Sequence, residues 1–231
     1  MNGGSISPIS RPGDHKGMTT DSPIFDDSFR ARLADLIAWR RDVRAFRNTA
    51  VPAGTFERLV SLACLAPSVG LSQPWRFVRV ADPARRAAVR ANFERCNAAA
   101  LAAQADERAR IYASLKLAGF DQAPEQFAVF TDRSTEQGHG LGRHTMPEMA
   151  DYSTVAAVFT VWLAARAEGL GLGWVSILDP AEVTTALDVP ADWRFVGYFC
   201  LGFPEQEDDV PALERAAWER RREFQRFIFE R

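Results

Sequence analysis

The sequence predicts a single domain that mixes helices with strands, and three stretches carry that expectation. Phe56, Leu59, Val60 and Ala63 recur at helical spacing and lead up to Pro67. A strand-like pattern, Trp75 to Val80, leaves a short polar loop on the other side. Near the C-terminus, Trp193 to Leu201 is an apolar strand closed by Gly202-Phe203-Pro204. At 231 residues, 47% of them hydrophobic and 25% charged, the chain is long enough for one sizeable core.

The loop in the first helix-to-strand passage organises the rest. It runs Ala66-Pro67-Ser68-Val69-Gly70-Leu71-Ser72-Gln73-Pro74-Trp75-Arg76-Phe77, with a proline near each end and Gly70 in the middle. Its hydroxyls, amide side chain and backbone N–H groups suit a flat heterocycle with hydrogen-bonding edges. An ordinary turn accounts for it equally well.

Composition narrows the partners. The net charge of −2 argues against a general nucleic-acid role. Arginines cluster at 40–47 and 220–226, which leaves an anionic small molecule open. Cys64, Cys96 and Cys200 are too far apart for a metal or disulfide pattern and read as buried thiols in a reducing compartment. The apolar run Val155 to Ala165 falls short of the roughly 20 residues of a membrane span, and no secretory signal core stands at the N-terminus. A cytoplasmic location is expected, with no membrane and no nucleic acid as partner.

In chain order, residues 1–21 are rich in Gly, Ser, Pro and Thr and read as a disordered tail ahead of a domain over 22–231. Asp26-Asp27-Ser28 starts a helix carrying Phe29, Leu33, Leu36 and Ile37. At its end stand Arg40-Arg41-Asp42-Val43-Arg44. These are either a solvated charged turn, in which an Asp42 ion pair contributes roughly 0–1 kcal/mol, or a phosphate grip of planar guanidinium forks. A carboxylate repels a phosphate, so in the second reading Asp42 points at something else.

Pro52 and Thr55 open the next helix, and Asp82-Pro83 caps a long Ala- and Arg-rich one covering most of 84–118. Residues 111–124 are a candidate lid. Gln126 to Thr131 alternates like a strand. His139 and His144 lie in a Gly-rich loop without further ligands, so no metal is expected. Met146 to Arg166 is a helix apolar on most faces, either a core helix or half of an interface.

Glu168-Gly169-Leu170-Gly171-Leu172-Gly173-Trp174-Val175-Ser176-Ile177 precedes a strand rather than following one, so it fails as a dinucleotide fingerprint. One glycine serves as a helix C-cap, and the others would let a backbone approach a ligand closely. Asp179-Pro180 caps a short helix to Leu187, and a final helix is expected from Pro211 to about Phe227.

Four pieces in this order resemble the FMN-binding nitroreductase superfamily over nearly the whole chain after residue 25. They are Arg40–Arg44; Ala66-Pro67-Ser68 with Gln73-Pro74-Trp75-Arg76-Phe77; Gly169–Trp174; and Leu201-Gly202-Phe203-Pro204 with the arginines beyond. Two departures, Asp42 where the superfamily has Ser and Leu71 where it has a flavin-contacting Asn, are similar to one branch of it. That branch comprises the dimethylbenzimidazole synthases, which fragment reduced FMN with dioxygen.

The resemblance implies a nitroreductase-like α+β fold, a central mainly antiparallel sheet flanked by helices, and a homodimer with flavin at its interface. It implies 5,6-dimethylbenzimidazole, the lower ligand of cobalamin, and erythrose 4-phosphate as products. NADH or NADPH would be the source of reducing equivalents, through a possible flavin reductase. By motif position Asp42 and Ser176 are the catalytic pair. Arg40, Arg41, Asp42, Val43, Arg44, Pro67, Ser68, Val69, Gln73, Trp75, Gly171, Leu172, Gly173, Trp174, Ser176 and Arg220 are the FMN contacts. An NAD(P)H-dependent nitro- or quinone reductase and a non-catalytic flavin-binding protein are the alternatives.

Overall fold

The structure, a computed structural model, describes residues 22–103, 111 and 119–231. The expected tail and residues 112–118 of the 111–124 lid lie outside the described residues. Helix α1 (Asp27–Trp39) is capped by the Asp26 carboxylate, which accepts the Phe29 N–H at 2.7 Å. Helix α2 (Thr55–Ala63) leads through the 66–74 loop into strand β1 (Trp75–Arg79). Helix α3 (Pro83–Ala102) starts with the Asp82 carboxylate on the Ala84 N–H and proline in its first turn. A short α4 (Gly119–Gln122) precedes β2 (Glu125–Asp132). Then come α5 (Met149–Ala167), β3 (Gly171–Val175), α6 (Pro180–Leu187), β4 (Trp193–Gly202) and a one-turn α7 (Ala212–Arg215).

Among the described residues the strands form one antiparallel sheet in the order β1-β2-β4-β3. Strand β2 is buried from Gln126 to Asp132 instead of showing one wet face. The reason is that helices cover both sides. Phe127 and Val129 point into a cluster with Leu59 and Ala63 of α2 and Ala157, Val158 and Val161 of α5. Ala128 and Phe130 point the other way, onto Val89 of α3 and Val183 and Leu187 of α6. A fully buried side chain of this size contributes about 1.5–3 kcal/mol, so the two clusters hold the layers together.

The passage from α5 to β3 is a glycine-terminated helix end. Gly169 has φ of 73°, its N–H donates to Arg166 O, and the Leu170 N–H donates to Ala165 O. Two expectations are corrected. The final helix does not run from Pro211 to Phe227: α7 stops at Arg215, Ala217 takes the left-handed φ of 56°, and only Phe224–Phe227 turns again, as 3-10 helix. Phe224, Phe227, Ile228 and Phe229 are 62–73% exposed, so a helix here would have no apolar surface to bury. Of the three thiols, only Cys200 is fully buried; Cys64 and Cys96 are half-buried on helix surfaces. Burial pushes the Cys200 thiol up to about 12. No helix among the described residues is long and apolar enough to cross a membrane.

Candidate active site

After α1 the chain lies along the outer edge of β3. Asp42 bridges Leu172 in parallel, the Val43 N–H donates to Leu172 O at 3.1 Å, and the Arg47 N–H donates to Phe203 O at 2.8 Å. This close approach explains two glycines. A Cβ on Gly173 would sit 2.2 Å from the Val43 carbonyl oxygen, and one on Gly171 would sit 2.5 Å from Val43 Cγ2. What comes close to Gly171 and Gly173 in this chain is therefore Val43. The Leu172 side chain is fully buried in the core.

The edge segment fixes Asp42. Its Oδ1 accepts the Trp174 N–H at 2.9 Å, and its Oδ2 lies 3.9 Å from Arg44 Nε. Desolvation by the packed surroundings holds its pKa above the ordinary 3.8, while the Trp174 N–H, Arg44 and Arg40 act in the opposite direction. Its side chain is still 40% exposed, so the carboxyl group is open to a ligand or water.

Arg40 caps the end of α1 and lies 4.8 Å over the Trp162 ring, its Nε buried without a hydrogen-bond partner. Arg41 donates to Asp208 O at 3.2 Å. Arg40, Arg41, Asp42, Arg44 and Arg221 line a cavity of about 120 Å³. Burial and the charge of Arg221 hold the Arg40 and Arg41 pKa values below the usual guanidinium range. Four arginines around the single Asp42 carboxylate in this lining favour an anion. Arg221, not Arg220, is the C-terminal arginine brought there; Arg220 is exposed and its N–H donates to the Glu219 carboxylate.

A neighbouring cavity of about 260 Å³ is lined by Asp42, Arg44, Trp174 and Ser176 from the edge of the sheet. Phe93 and Asn97 of α3, with Leu213 and Trp218 of the C-terminal segment, close it. Asp42 and Ser176, 134 positions apart in sequence (176 − 42), thus share one wall. Sequence reasoning missed Phe93, Asn97, Leu213, Trp218 and Arg221. The first two stand in a helix without a motif, Leu213 lies in the one-turn α7, and Trp218 and Arg221 follow a helix end that composition does not announce.

The remaining predicted contacts lie elsewhere. Ser68 Oγ accepts the Gln73 N–H at 3.2 Å, the Gln73 amide donates to Cys64 O at 3.3 Å, and the Val69 N–H donates to Ser153 Oγ at 3.0 Å. Pro67 sits in the same loop, and Trp75 is 6% exposed in the core. This loop feeds β1, at the opposite edge of the sheet from β3. With Asp42 one bridge beyond β3, four interstrand steps of about 4.8 Å put the two groups roughly 19 Å apart across the sheet. His139 and His144 line an open pocket with Arg133 and Arg143, and among the described residues no His, Cys, Asp and Glu cluster could hold a metal.

The profile of the Nitroreductase family matches residues 37–203, from the end of α1 through β4. The chain belongs to the nitroreductase family. Two curated relatives are similar over nearly their whole length. The 5,6-dimethylbenzimidazole synthase of Rhodospirillum rubrum is 59% identical over 87% of this chain and 95% of its own. The protein of the same name from Rhodobacter capsulatus is 51% identical over 84% and 94%. Solved structures share the fold. An iodotyrosine deiodinase bound to FMN and 3-iodo-L-tyrosine aligns with a TM-score of 0.65 at 24% identity, covering 76% of this chain and 91% of its own. A nitroreductase-like protein from Streptococcus mutans aligns with a TM-score of 0.65 at 15% identity, covering 87% and 98%. The matched span contains Arg40–Arg44, the 66–75 loop, β3 and Ser176, so every predicted site residue except Arg220 lies within the family match.

Proposed function

We propose that this nitroreductase-family protein is a 5,6-dimethylbenzimidazole synthase that fragments reduced FMN in the presence of dioxygen, releasing dimethylbenzimidazole and erythrose 4-phosphate. The observation that carries the reading is the shared wall of Asp42 and Ser176, next to an arginine-lined cavity. The residues fit FMN. The partnerless Arg40 Nε, with Arg41, Arg44 and Arg221, suits a terminal phosphate, and the larger cavity suits part of a flat ring system. Reduced FMN, as substrate, supplies the electrons that dioxygen accepts. Asp42 holds or accepts a proton at its carboxylate, and Ser176 offers a hydroxyl to orient oxygen or relay a proton. The identity to relatives of this name supports the same activity.

Pro67, Ser68, Val69, Gln73 and Trp75 lie too far from Asp42 to meet the same flavin within one chain. A homodimer, in which the loop of one copy faces the edge segment of the other, accounts for both groups. In this reading NADH or NADPH reduces the flavin through a separate reductase, in the cytoplasm. The test is mass spectrometry of the products after aerobic incubation of the protein with FMN and a reductant. Dimethylbenzimidazole is expected; return of all flavin as intact FMN with peroxide overturns the proposal.

A further inference from the structure

Ser176 makes no hydrogen bond of its own among the described residues, and its side chain is exposed to the cavity. Its place is therefore set by the residues that hold the turn between β3 and α6. Val175 and Leu178, on either side, are buried in the cluster of Ala128 and Phe130 with Val89, Val183 and Leu187. The polar hold comes from Asn92 of α3, which is 2% exposed. Asn92 Oδ1 accepts the Asp179 N–H at 2.9 Å, and its Nδ2 donates to Asp179 O at 3.3 Å and to Glu182 Oε2 at 3.0 Å. The amide thus grips both backbone groups of the residue three positions after Ser176 and the first turn of α6. Glu182 is held again by Arg95, one turn along α3. On the same helix, Phe93 and Asn97 form the cavity wall that faces Ser176 and Ile177.

We propose that Asn92 is the positioning residue that sets Ser176 against the α3 wall of the cavity, by clamping the 176–179 turn to α3. The proposal rests on the role of Ser176 given above. A buried side chain could hold two helices together without reference to the site, but Asn92 bonds the turn itself, through the N–H and C=O of Asp179. Aliphatic packing on either side fixes how deep the turn lies, while the paired amide bonds fix its register along α3. A misplacement of about 1 Å at a reacting group lowers turnover by about a hundredfold, so the register matters to chemistry more than to folding.

The test uses Asn92→Asp, which keeps the shape but sets a carboxylate against the Asp179 carbonyl and the Glu182 carboxylate. The expected result is a folded protein that retains FMN and forms about tenfold less dimethylbenzimidazole per reduced FMN oxidised. In a Ser176→Ala background the same change should add nothing, whereas a merely structural role would add its full effect. Adding Glu182→Gln to Asn92→Asp gives the new carboxylate an amide donor and should restore most of the ratio. A second readout is independent of turnover: the alkylation rate of a Ser176→Cys thiol, read by peptide mass, should change at least about threefold when Asn92→Asp is added.

An unchanged product ratio in folded Asn92→Asp, full additivity with Ser176→Ala, or an unchanged alkylation rate would overturn the proposal. If the wild-type protein forms no dimethylbenzimidazole, the synthase reading falls, and the alkylation comparison still decides whether Asn92 places residue 176. Should Asn92→Asp fail to fold, Asn92→Ser, a shorter side chain without new charge, carries the same two comparisons.

Discussion

Asp42 has arginines at both sides and still titrates above the ordinary carboxylate value of 3.8, because desolvation outweighs their attraction. A carboxylate whose folded pKa is raised binds its proton more tightly folded than unfolded. Its charged form therefore costs stability as pH rises from 3.8 through the raised value, and the cost stays in place above it. Asp42→Asn, which cannot ionise, should thus melt at a higher temperature than wild type at pH 7, with the gap closing as pH falls toward the ordinary value. The same variant tests the chemistry. It keeps the Trp174 N–H bond and the shape of the cavity, so FMN should stay bound. Dimethylbenzimidazole per reduced FMN oxidised should fall by about a hundredfold or more, the usual loss for a general acid–base group. Ser176→Ala should lose less, since water replaces a hydroxyl in part. Equal ratios in Asp42→Asn and wild type would reduce Asp42 to a salt-bridge partner. At the other cavity, Arg40→Ala should weaken FMN by about tenfold to a hundredfold through one charge-assisted contact, and leave riboflavin nearly unaffected. Equal losses for both ligands, measured by fluorescence titration, would remove the phosphate from this cavity.

Among the elements, the edge segment 40–47 and strand β3 are the pair on which the site depends. Gly173→Ala drives a methyl group to 2.2 Å from the Val43 carbonyl, a backbone atom that cannot turn aside. The segment must lift, breaking the Asp42–Trp174 contact, and stability should fall by about 1–3 kcal/mol, as for other overpacked sites. Thermal melting with FMN titration checks it; wild-type values of both would show that Val43 is free to move. Such element-level facts divide into legible and hidden ones. The caps at Asp26, Asp82 and Asp179 were legible because each is a local bond between a carboxylate and N–H groups two or three residues on. The glycine run announced a close approach, but not that Val43 makes it, since that contact joins residues far apart in sequence. The end of α7 was hidden because Ala216 and Ala217 favour helix, and the break follows from the absence of a surface to pack on. Arg221 was hidden with it, since extending the helix gives the wrong register for the arginines.

For the whole molecule, strand order is what the sequence could least reveal. The loop 66–75 and the segment 40–44 lie close in sequence, yet β1 and β3 are the two edges of one sheet. Their separation by roughly 19 Å is an argument about assembly. The exposed apolar residues point the same way. Phe29, Leu33 and Ile37 of α1, Tyr152, Val155 and Phe159 of α5 and the aromatic C-terminal end are all 38–73% exposed, large apolar side chains that a partner subunit would cover. We predict a homodimer in which each flavin site takes Asp42 and Ser176 from one copy and Ser68 and Gln73 from the other. Complementation tests this directly. A protein with Asp42→Asn and another with Gln73→Ala should each make little dimethylbenzimidazole alone. In a heterodimer of the two, one site carries both lesions and the other carries neither. Random reassortment makes about half the dimers heterodimers, so activity should return to roughly a quarter of the wild-type level. A mixture that never exceeds the mean of its two components would place the whole site within one chain, and the loop would then be a turn that serves the fold alone.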